Sequence, residues 1–464
     1  MSQPPLASFG PPQNVDAHIQ LVRVMRRITV ALPLWLASIL TPLAADTLHI
    51  IHTNDFHAHI QANKNDAGAA RIAAFASQVR RESGAVLMLD AGDAISGTPV
   101  SSIFEGEPIF ELMNLMGYDV GLLGNHEFDH GIEKIGTFLD IATFPLLSAN
   151  AKNASGGLIA DAPYWLGNLG DISVGVIGLT TPDTPSLTTP QGNEGIAVLA
   201  INEVLPDLIN TLRPKVDVLI LLTHLGHDNE LELAKAFPSV DLIIGGHSHT
   251  LVAHPVKVGT TWVAQADHYG KHVGLITLDV DPNAEGRAVR NLSGGLVSAD
   301  ELTALDPEVD ALVNHYESQV AERVNQTITH SNRAYSSDEL QPILEDMLKV
   351  ALQADLGFYN RGGIRDSLPE GPISARMIWN IEPFGNSLVR LNIKGSDLLI
   401  LLSQEQKLHH AADSIDPDRR YDLATNSFIG SHAKLAFGDS ITLQDTGLMI
   451  RDVLISHIKD RGLP

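Results

Sequence analysis

"LLGNHEFDHG" occupies residues 122–131. An apolar run ends in Gly124-Asn125-His126-Glu127, and Asp129 follows three residues after the imidazole. A neutral amide, an imidazole and two carboxylates at the mouth of a buried strand are costly to bury unless they are paired or hold an ion. The meaning of this stretch depends on whether other strands end the same way, and they do. "LHIIHTN" (48–54) leads into Asp55-Phe56-His57, and "VLMLDAG" (86–92) leads into Asp93. "VLILLT" (218–223) runs into His224, and "LIIGG" (242–246) into His247-Ser248-His249.

Between these apolar runs lie amphipathic stretches such as "AARIAAFASQVRRE" (69–82) and "GEPIFELMNLMG" (106–117). The alternation predicts βαβ units, hence a sheet with helices on its faces. Open α/β sheets build their sites at the carboxyl ends of the strands. Five such ends meeting in one crevice would gather five histidines, two aspartates and one asparagine. That set suits two divalent ions ~3.5–4 Å apart and bridged by a carboxylate. Asp93 stands alone in its turn and is the natural bridge. Asn125 would be a ligand without charge, and His126 would point past the metals at a substrate. Each short motif is weak alone. An Asp-x-His triplet or a Thr-His at a strand end is commonplace, and it is their joint order and spacing that predicts a metal site.

Composition narrows the function. The chain has 464 residues, a formal charge of −24, 44% hydrophobic residues and 38 glycines. Two domains are the natural expectation, with cores of good size. The acidic balance excludes a nucleic-acid polyanion as the main partner. There is no cysteine, so disulfides and thiolate-bound zinc are excluded, and imidazole with carboxylate suits Zn, Mn or Fe. Near the start, Arg23, Arg26 and Arg27 precede an apolar run from Ile28 to Leu40, with Ala44 and Ala45 after it. That is the order of a secretory signal, and its core is shorter than the ~20 residues needed to span a bilayer. Residues 1–45 are therefore expected to be an N-terminal extension and signal, leaving a periplasmic or secreted product with no membrane span. Monomer and homodimer both remain open.

Around 296–330 the chain becomes charged and helical in period, then runs to 464 with mixed signals. The expected organisation is a catalytic domain at 46–295, a linking helix at 296–331 and a C-terminal domain at 332–464, with the boundary near 325–335.

These motifs resemble the 5′-nucleotidase family within the calcineurin-like metallophosphoesterases. The matching segments are "HTNDFHAH", "LDAGDAISGTPVSSIFEGEP", "GYDVGLLGNHEFDHG", "LTHLGHD", "DLIIGGHSHT" and "QADHYGKHVG", then "YNRGGIRDSLPEGPIS" and "IEPFGNSLVRLNIKGSDL". The resemblance implies an α/β (α+β) fold, a four-layer β-sandwich flanked by helices, plus a smaller mixed α/β substrate domain. It implies that Asp55, His57 and His249 hold one divalent ion, that Asn125, His224 and His247 hold the other, and that Asp93 bridges them. His126 would stabilise the transferring phosphoryl group and protonate the leaving oxygen, with Asp129 orienting it. Glu127 and Phe128 would be loop packing, and His130 has no assigned role. The implied substrate is a nucleotide or a related small phosphoester.

Substrate choice should lie in the C-terminal part. Arg361 and Arg365 flank a Gly-Gly turn, an arrangement suited to clamping an anion. The resemblance implies two aromatic rings around a base, and Phe428 in "LATNSFIGSH" matches the second. The Gly-Gly-Asp-Gly that usually follows is replaced by Ile-Gly-Ser-His-Ala-Lys, so Asp439 is only a remote substitute for the ribose-binding aspartate. The segment between "KGSDLL" and "YDLATNSF" is short, which removes the usual place of the first ring. Tyr359, Phe384 and Tyr421 are the candidate stand-ins, and Lys407 a candidate replacement for a helix arginine. Rival readings are a 2′,3′-cyclic nucleotide phosphodiesterase, a UDP-sugar hydrolase, a hydrolase of non-nucleotide phosphoesters or sulfur esters, and a binding protein without catalysis.

Overall fold

Alternation decides the layers of the N-terminal part. The computed structural model describes residues 46–188, 192–403 and 415–464. The signal-like segment and Lys407 lie outside the described residues. In the strand Asp46–Thr53, Leu48 and Ile50 face one way and Ile51 the other, the period of two that a strand imposes. This strand pairs in parallel with Ala85–Asp90 and antiparallel with His272–Val280, and Val289–Ser298 completes a four-stranded sheet. A second, six-stranded sheet has the order Val256–Val258, Thr261–Ala264, Leu242–Ile244, Val218–His224, Ile172–Thr180, Tyr164–Leu169. Its four central strands are parallel and its two edges are antiparallel hairpins.

The two sheets pack face to face. Leu48, Ile50, Leu87 and Leu89 from the first meet Val174, Val176, Ile220, Leu222 and Ile244 from the second in one buried core. The outer face of the six-stranded sheet, with Ile177, Leu219, Leu221 and Ile243, is covered by the helices Ile201–Leu212 and His227–Ala236. The outer face of the other sheet is covered by Gly68–Glu82, Glu107–Met116 and Ile132–Ile141. The result is a helix–sheet–sheet–helix sandwich, as the family resemblance implied. Sequential burial is why the parallel strands read as unbroken apolar runs.

The charged helix expected to link the two parts runs Pro307–Val324 and is capped by Asp306, whose carboxylate accepts the amides of Glu308 and Val309. It does more than connect. Val309, Val313, Val320 and Val324 recur on one face and are buried in the outer helical core.

The C-terminal part is built on a four-stranded sheet in the order Leu356–Gly357, Arg420–Asn426, Ser387–Lys394, Thr442–Met449. Leu388 and Ala424 face the helices Ser337–Leu352 and Ile450–Arg461, and Leu391, Ile393 and Leu423 face Gly395–Ser403 and Ser427–Phe437. Ser336 and Glu339 form a reciprocal capping box that starts the first of these helices.

Trp379, on the short helix Ala375–Ile381, rivets this part to the rest. It is 5% exposed and shares the core of the valine face of Pro307–Val324. The Arg451 and Arg323 guanidiniums lie 3.7 and 5.4 Å from its ring centroid. Trp379→Ala is expected to lower stability by ~3–5 kcal/mol, the range for removing a buried large aromatic. Urea unfolding monitored by circular dichroism checks this, and a shift below ~1 kcal/mol would mean the ring is not a structural rivet.

Candidate metal centre and substrate cleft

Each of the strand ends quoted above stops where the backbone must turn sharply. Asp55, His57, Asp93, His247 and His249 all take left-handed φ angles, between 48° and 79°. Non-glycine residues in this region carry about 1–3 kcal/mol of strain each, and they persist only where surrounding bonds hold them. Here the turns hold one another. The Asp55 amide donates to the Gly92 carbonyl at 2.9 Å and the His57 amide to the Asp93 carbonyl at 3.0 Å. The His247 amide donates to the Asp55 carboxylate at 2.9 Å. Gly124 is required at the next turn, because a Cβ there would lie 2.3 Å from Asp93 Oδ1.

Asp55, His57, Asp93, Asn125 and His224 are 3% exposed or less. Their polar atoms converge. His57 Nε2 lies 3.2 Å from His249 Nε2, which lies 3.2 Å from Asp55 Oδ1. His224 Nε2 lies 2.9 Å from Asp93 Oδ2, and His57 Nε2 and His126 Nε2 are each 3.9 Å from that same oxygen. Donor atoms of Asp55, His57 and His249 form one cluster, those of Asp93, His224 and His247 another, and Asp93 also groups with His57 and His126.

The tautomers explain why this set fits cations. His57 Nδ1–H donates to the Ser96 carbonyl at 2.9 Å, and His224 Nδ1–H donates to the Ala91 carbonyl at 2.7 Å. The Nε2 lone pairs of both rings therefore face inward, toward carboxylate oxygens. Asn125 Oδ1 is buried without a hydrogen-bond partner. Opposed acceptors in a buried site call for a proton or a metal ion between them.

Proton affinities follow the same geometry. Burial, with Arg365 nearby, holds His57 well below the usual histidine range. Burial also pushes His247 down to about 4 and lowers His249. These rings are neutral, as metal ligands must be. For His224, burial opposes charging, but Asp93 and Asp55 outweigh it and raise the group to about 10. A cation arriving there would displace that proton. Asp93 is held well below the usual carboxylate range: burial opposes ionisation, and His224 and His126 overcome it.

His126 differs from the others. Its Nδ1 pairs with Asp129 Oδ2 at 2.8 Å, and its ring stacks 5.4 Å from Phe384 at an interplanar angle of 16°. Burial opposes its protonation, but Asp129 and Asp93 raise its affinity for a proton.

A cleft opens from this cluster toward the C-terminal part and is lined there by Asn360, Arg365, Phe384, Asn386 and Phe428. Arg365 Nη2 reaches to 3.0 Å from His57 Nε2. Arg361 does not line the cleft. It turns to Asp338, with N···O 2.8 Å, and its side chain is 52% exposed. Phe428 forms part of the cleft wall and leans on His432, with ring centroids 4.4 Å apart. Of the three stand-ins for the first ring, Phe384 lines the cleft, whereas Tyr359 and Tyr421 are buried in the two C-terminal cores. Asp439 is exposed and pairs with Lys434 at 3.3 Å.

Some residues carried too little signal to be singled out. Tyr269 sits edge-on to His57 at 5.6 Å, and its hydroxyl donates to the Arg365 carbonyl at 3.2 Å. Asn54 binds the Asp55 carboxylate at 2.7 Å and accepts the Ala266 amide at 2.7 Å. Glu127, read as loop packing, is wholly buried with its carboxylate among backbone amides. Only its membership of the "NHE" motif hinted at more.

Comparison with known proteins gives matches in both parts of the chain. Residues 48–251 match the model of the calcineurin-like phosphoesterases, and 316–415 match that of the 5′-nucleotidase C-terminal domain. Protein UshA of Yersinia enterocolitica is 30% identical over 75% of this chain and 74% of its own length. The 5′-nucleotidase of Vibrio cholerae is 29% identical over 77% of this chain and 75% of its own. The crystal structure of a 5′-nucleotidase precursor from Thermus thermophilus superimposes with a TM-score of 0.79 at 26% identity, covering 89% of this chain and 96% of that one.

Asp93→Asn is expected to lower bound metal sharply, and His126→Ala to leave it unchanged, in elemental analysis of protein equilibrated with Mn²⁺. Equal metal loss in both variants would make His126 a ligand.

Proposed function

Because the chain belongs to the 5′-nucleotidase family of the calcineurin-like phosphoesterases, and is thus a hydrolase of phosphoric ester bonds, we propose that it is an exported enzyme that releases phosphate from nucleotides at a two-ion centre. The observation that carries this reading is the meeting, in one cleft, of the ligand-type cluster, the His126–Asp129 pair and an arginine with aromatic rings opposite. Export rests on the signal-like order of residues 23–45. In this reading residues 46–295 carry the chemistry, 296–331 link, and 332–464 select the substrate.

One ion would be held by Asp55, His57 and His249, the other by Asn125, His224 and His247, with Asp93 between them. When bound, such ions neutralise phosphoryl charge and bring the pKa of water toward ~7. The protein's own groups do the rest. His126, poised beside Asp93 and held by Asp129, faces the transferring group, stabilises its oxygens and gives a proton to the leaving oxygen. Asp129 fixes the ring so that Nε2 is the atom presented. Arg365 supplies the guanidinium for the anionic end of the substrate. Arg361, tied to Asp338, is left out of that role. Phe428 offers a stacking face for a base, and Phe384 closes the side next to His126.

The deciding experiment is phosphate release from AMP, UMP, UDP-glucose, 2′,3′-cyclic AMP and p-nitrophenyl phosphate, with Mn²⁺ added and a coupling phosphatase for the two diesters. Preference for AMP or UMP over the aryl ester supports the nucleotidase reading. Preference for the cyclic nucleotide or the sugar nucleotide moves the assignment to a phosphodiesterase or UDP-sugar hydrolase. Turnover of the aryl ester alone would mean that the base site is not used. His126→Ala should reduce kcat by ~10²–10⁴-fold, the usual contribution of a general acid. Arg365→Ala should raise KM for AMP more than for the aryl ester, and equal effects on both would place Arg365 outside substrate selection.

A further inference from the structure

Three successive amides of the turn that carries Asp93 are held by buried carboxylates. The Gly92 amide donates to Asp90 Oδ2 at 3.0 Å. The Asp93 amide donates to Glu127 Oε2 at 3.1 Å, and the Ala94 amide to Glu127 Oε1 at 2.9 Å. Glu127 also takes the amide of Gly124 at 2.7 Å, next to Asn125. In return, the His126 amide donates to Asp93 Oδ1 at 2.8 Å. Two turns are thus cross-stitched, each binding the other's backbone through a side-chain carboxylate. Glu127 and Asp90 are 0% and 1% exposed, and neither has a lysine or arginine at ion-pair distance among the described residues.

A carboxylate with only amide partners is a strong acceptor in a fixed place. The cost of burying Glu127 is offset by the three amides it satisfies, which an apolar side chain of the same size would leave without an acceptor. What the position controls is the spacing of two turns that differ in strain. Asp93 has a φ of 55°, while Asn125 is at −80°. Without Glu127 the amides of Asp93, Ala94 and Gly124 would each lack an acceptor, and the Asp93 turn would be free to relax away from the Asn125 turn.

We propose that Glu127 is a positioning residue for the metal centre: by gripping the amides of Asp93, Ala94 and Gly124, it fixes the distance between the Asp93 carboxylate and the Asn125 amide. This rests on the two-ion reading above. Glu127 touches neither substrate nor ion and acts only through those two turns. Supporting groups of this kind typically change metal affinity by ~10–100-fold.

The test is calorimetric titration of metal-free protein with Mn²⁺, for the wild type, Glu127→Gln, Glu127→Asp and, as a control, Asp93→Asn. Gln keeps one acceptor oxygen and sets an NH₂ against an amide donor, and Asp keeps the charge but withdraws the carboxylate by one methylene. Both are expected to unfold cooperatively when metal-free and to bind Mn²⁺ ~10–100-fold more weakly. Their kcat should fall at limiting Mn²⁺ and recover at excess Mn²⁺, with KM for AMP unchanged. A purely structural role would lower stability without that metal-dependent recovery. Wild-type Mn²⁺ affinity in either folded variant overturns the proposal. So does failure of both variants to fold without metal, which would make Glu127 a folding residue. Failure of the wild type to bind two ions overturns the two-ion reading itself, whatever the variants do.

Discussion

Opposed lone pairs at the ends of five strands are the constraint around which this molecule is built. His57 and His224 each donate Nδ1–H to a backbone carbonyl, which turns Nε2 inward toward Asp55 and Asp93, where an N–H of Arg365 meets the His57 nitrogen and a proton sits between His224 and Asp93. Acceptor facing acceptor in a dry site is unfavourable by several kcal/mol unless a proton or a cation lies between. Everything nearby serves to keep that arrangement from relaxing. The sandwich supplies rigid strands, the strands end in strained turns, and the turns are tied to one another through amides and carboxylates rather than to solvent.

Strain at these turns has a clear physical cause. A ligand must project from the strand end into the crevice within one or two residues, and at three of the five strand ends a left-handed residue makes that reversal. Glycine would do so without strain, but glycine has no side chain to bind an ion. The chain therefore places Asp55, His57, Asp93, His247 and His249 in the disfavoured region and keeps glycine for neighbours such as Gly124, where a Cβ would strike the Asp93 carboxylate. The stability given up is returned by the buried cores on either side of the sheets.

The C-terminal part meets this centre with few groups, each aimed. Arg365 approaches His57, Phe384 stacks on His126, and Ser102 Oγ donates to the Pro383 carbonyl at 2.6 Å to hold that loop down. Tyr269 does the same for the loop of Arg365. Asn386 joins the two aromatic walls: its Oδ1 accepts the Phe428 amide, while its own amide groups bind the buried Glu382. The cleft is thus one hydrogen-bonded unit on its substrate side, as the metal centre is on the other.

Order along the chain was enough to mark the alternating α/β class and the ligand-type residues at the strand ends, because both leave local marks, whereas the four-layer sandwich followed from the family resemblance. Unbroken apolar runs mark strands buried on both faces, and a polar turn after each run places its side chains at one sheet edge. Asp129 entered through the family resemblance, and the fold sets its carboxylate 2.8 Å from His126 Nδ1. Tertiary structure alone decided what local spacing cannot encode. Arg361 and Arg365 look equivalent around Gly362-Gly363, yet Asp338 takes one and the cleft takes the other. Tyr359, Phe384 and Tyr421 are equal as aromatic candidates, yet two are consumed by cores and one lines the cleft. Glu127 looked like packing because its partners are backbone amides, which every residue possesses and no sequence pattern distinguishes. Residue type and order determine which chemistry is available, and packing in three dimensions decides which side chains are left free to perform it.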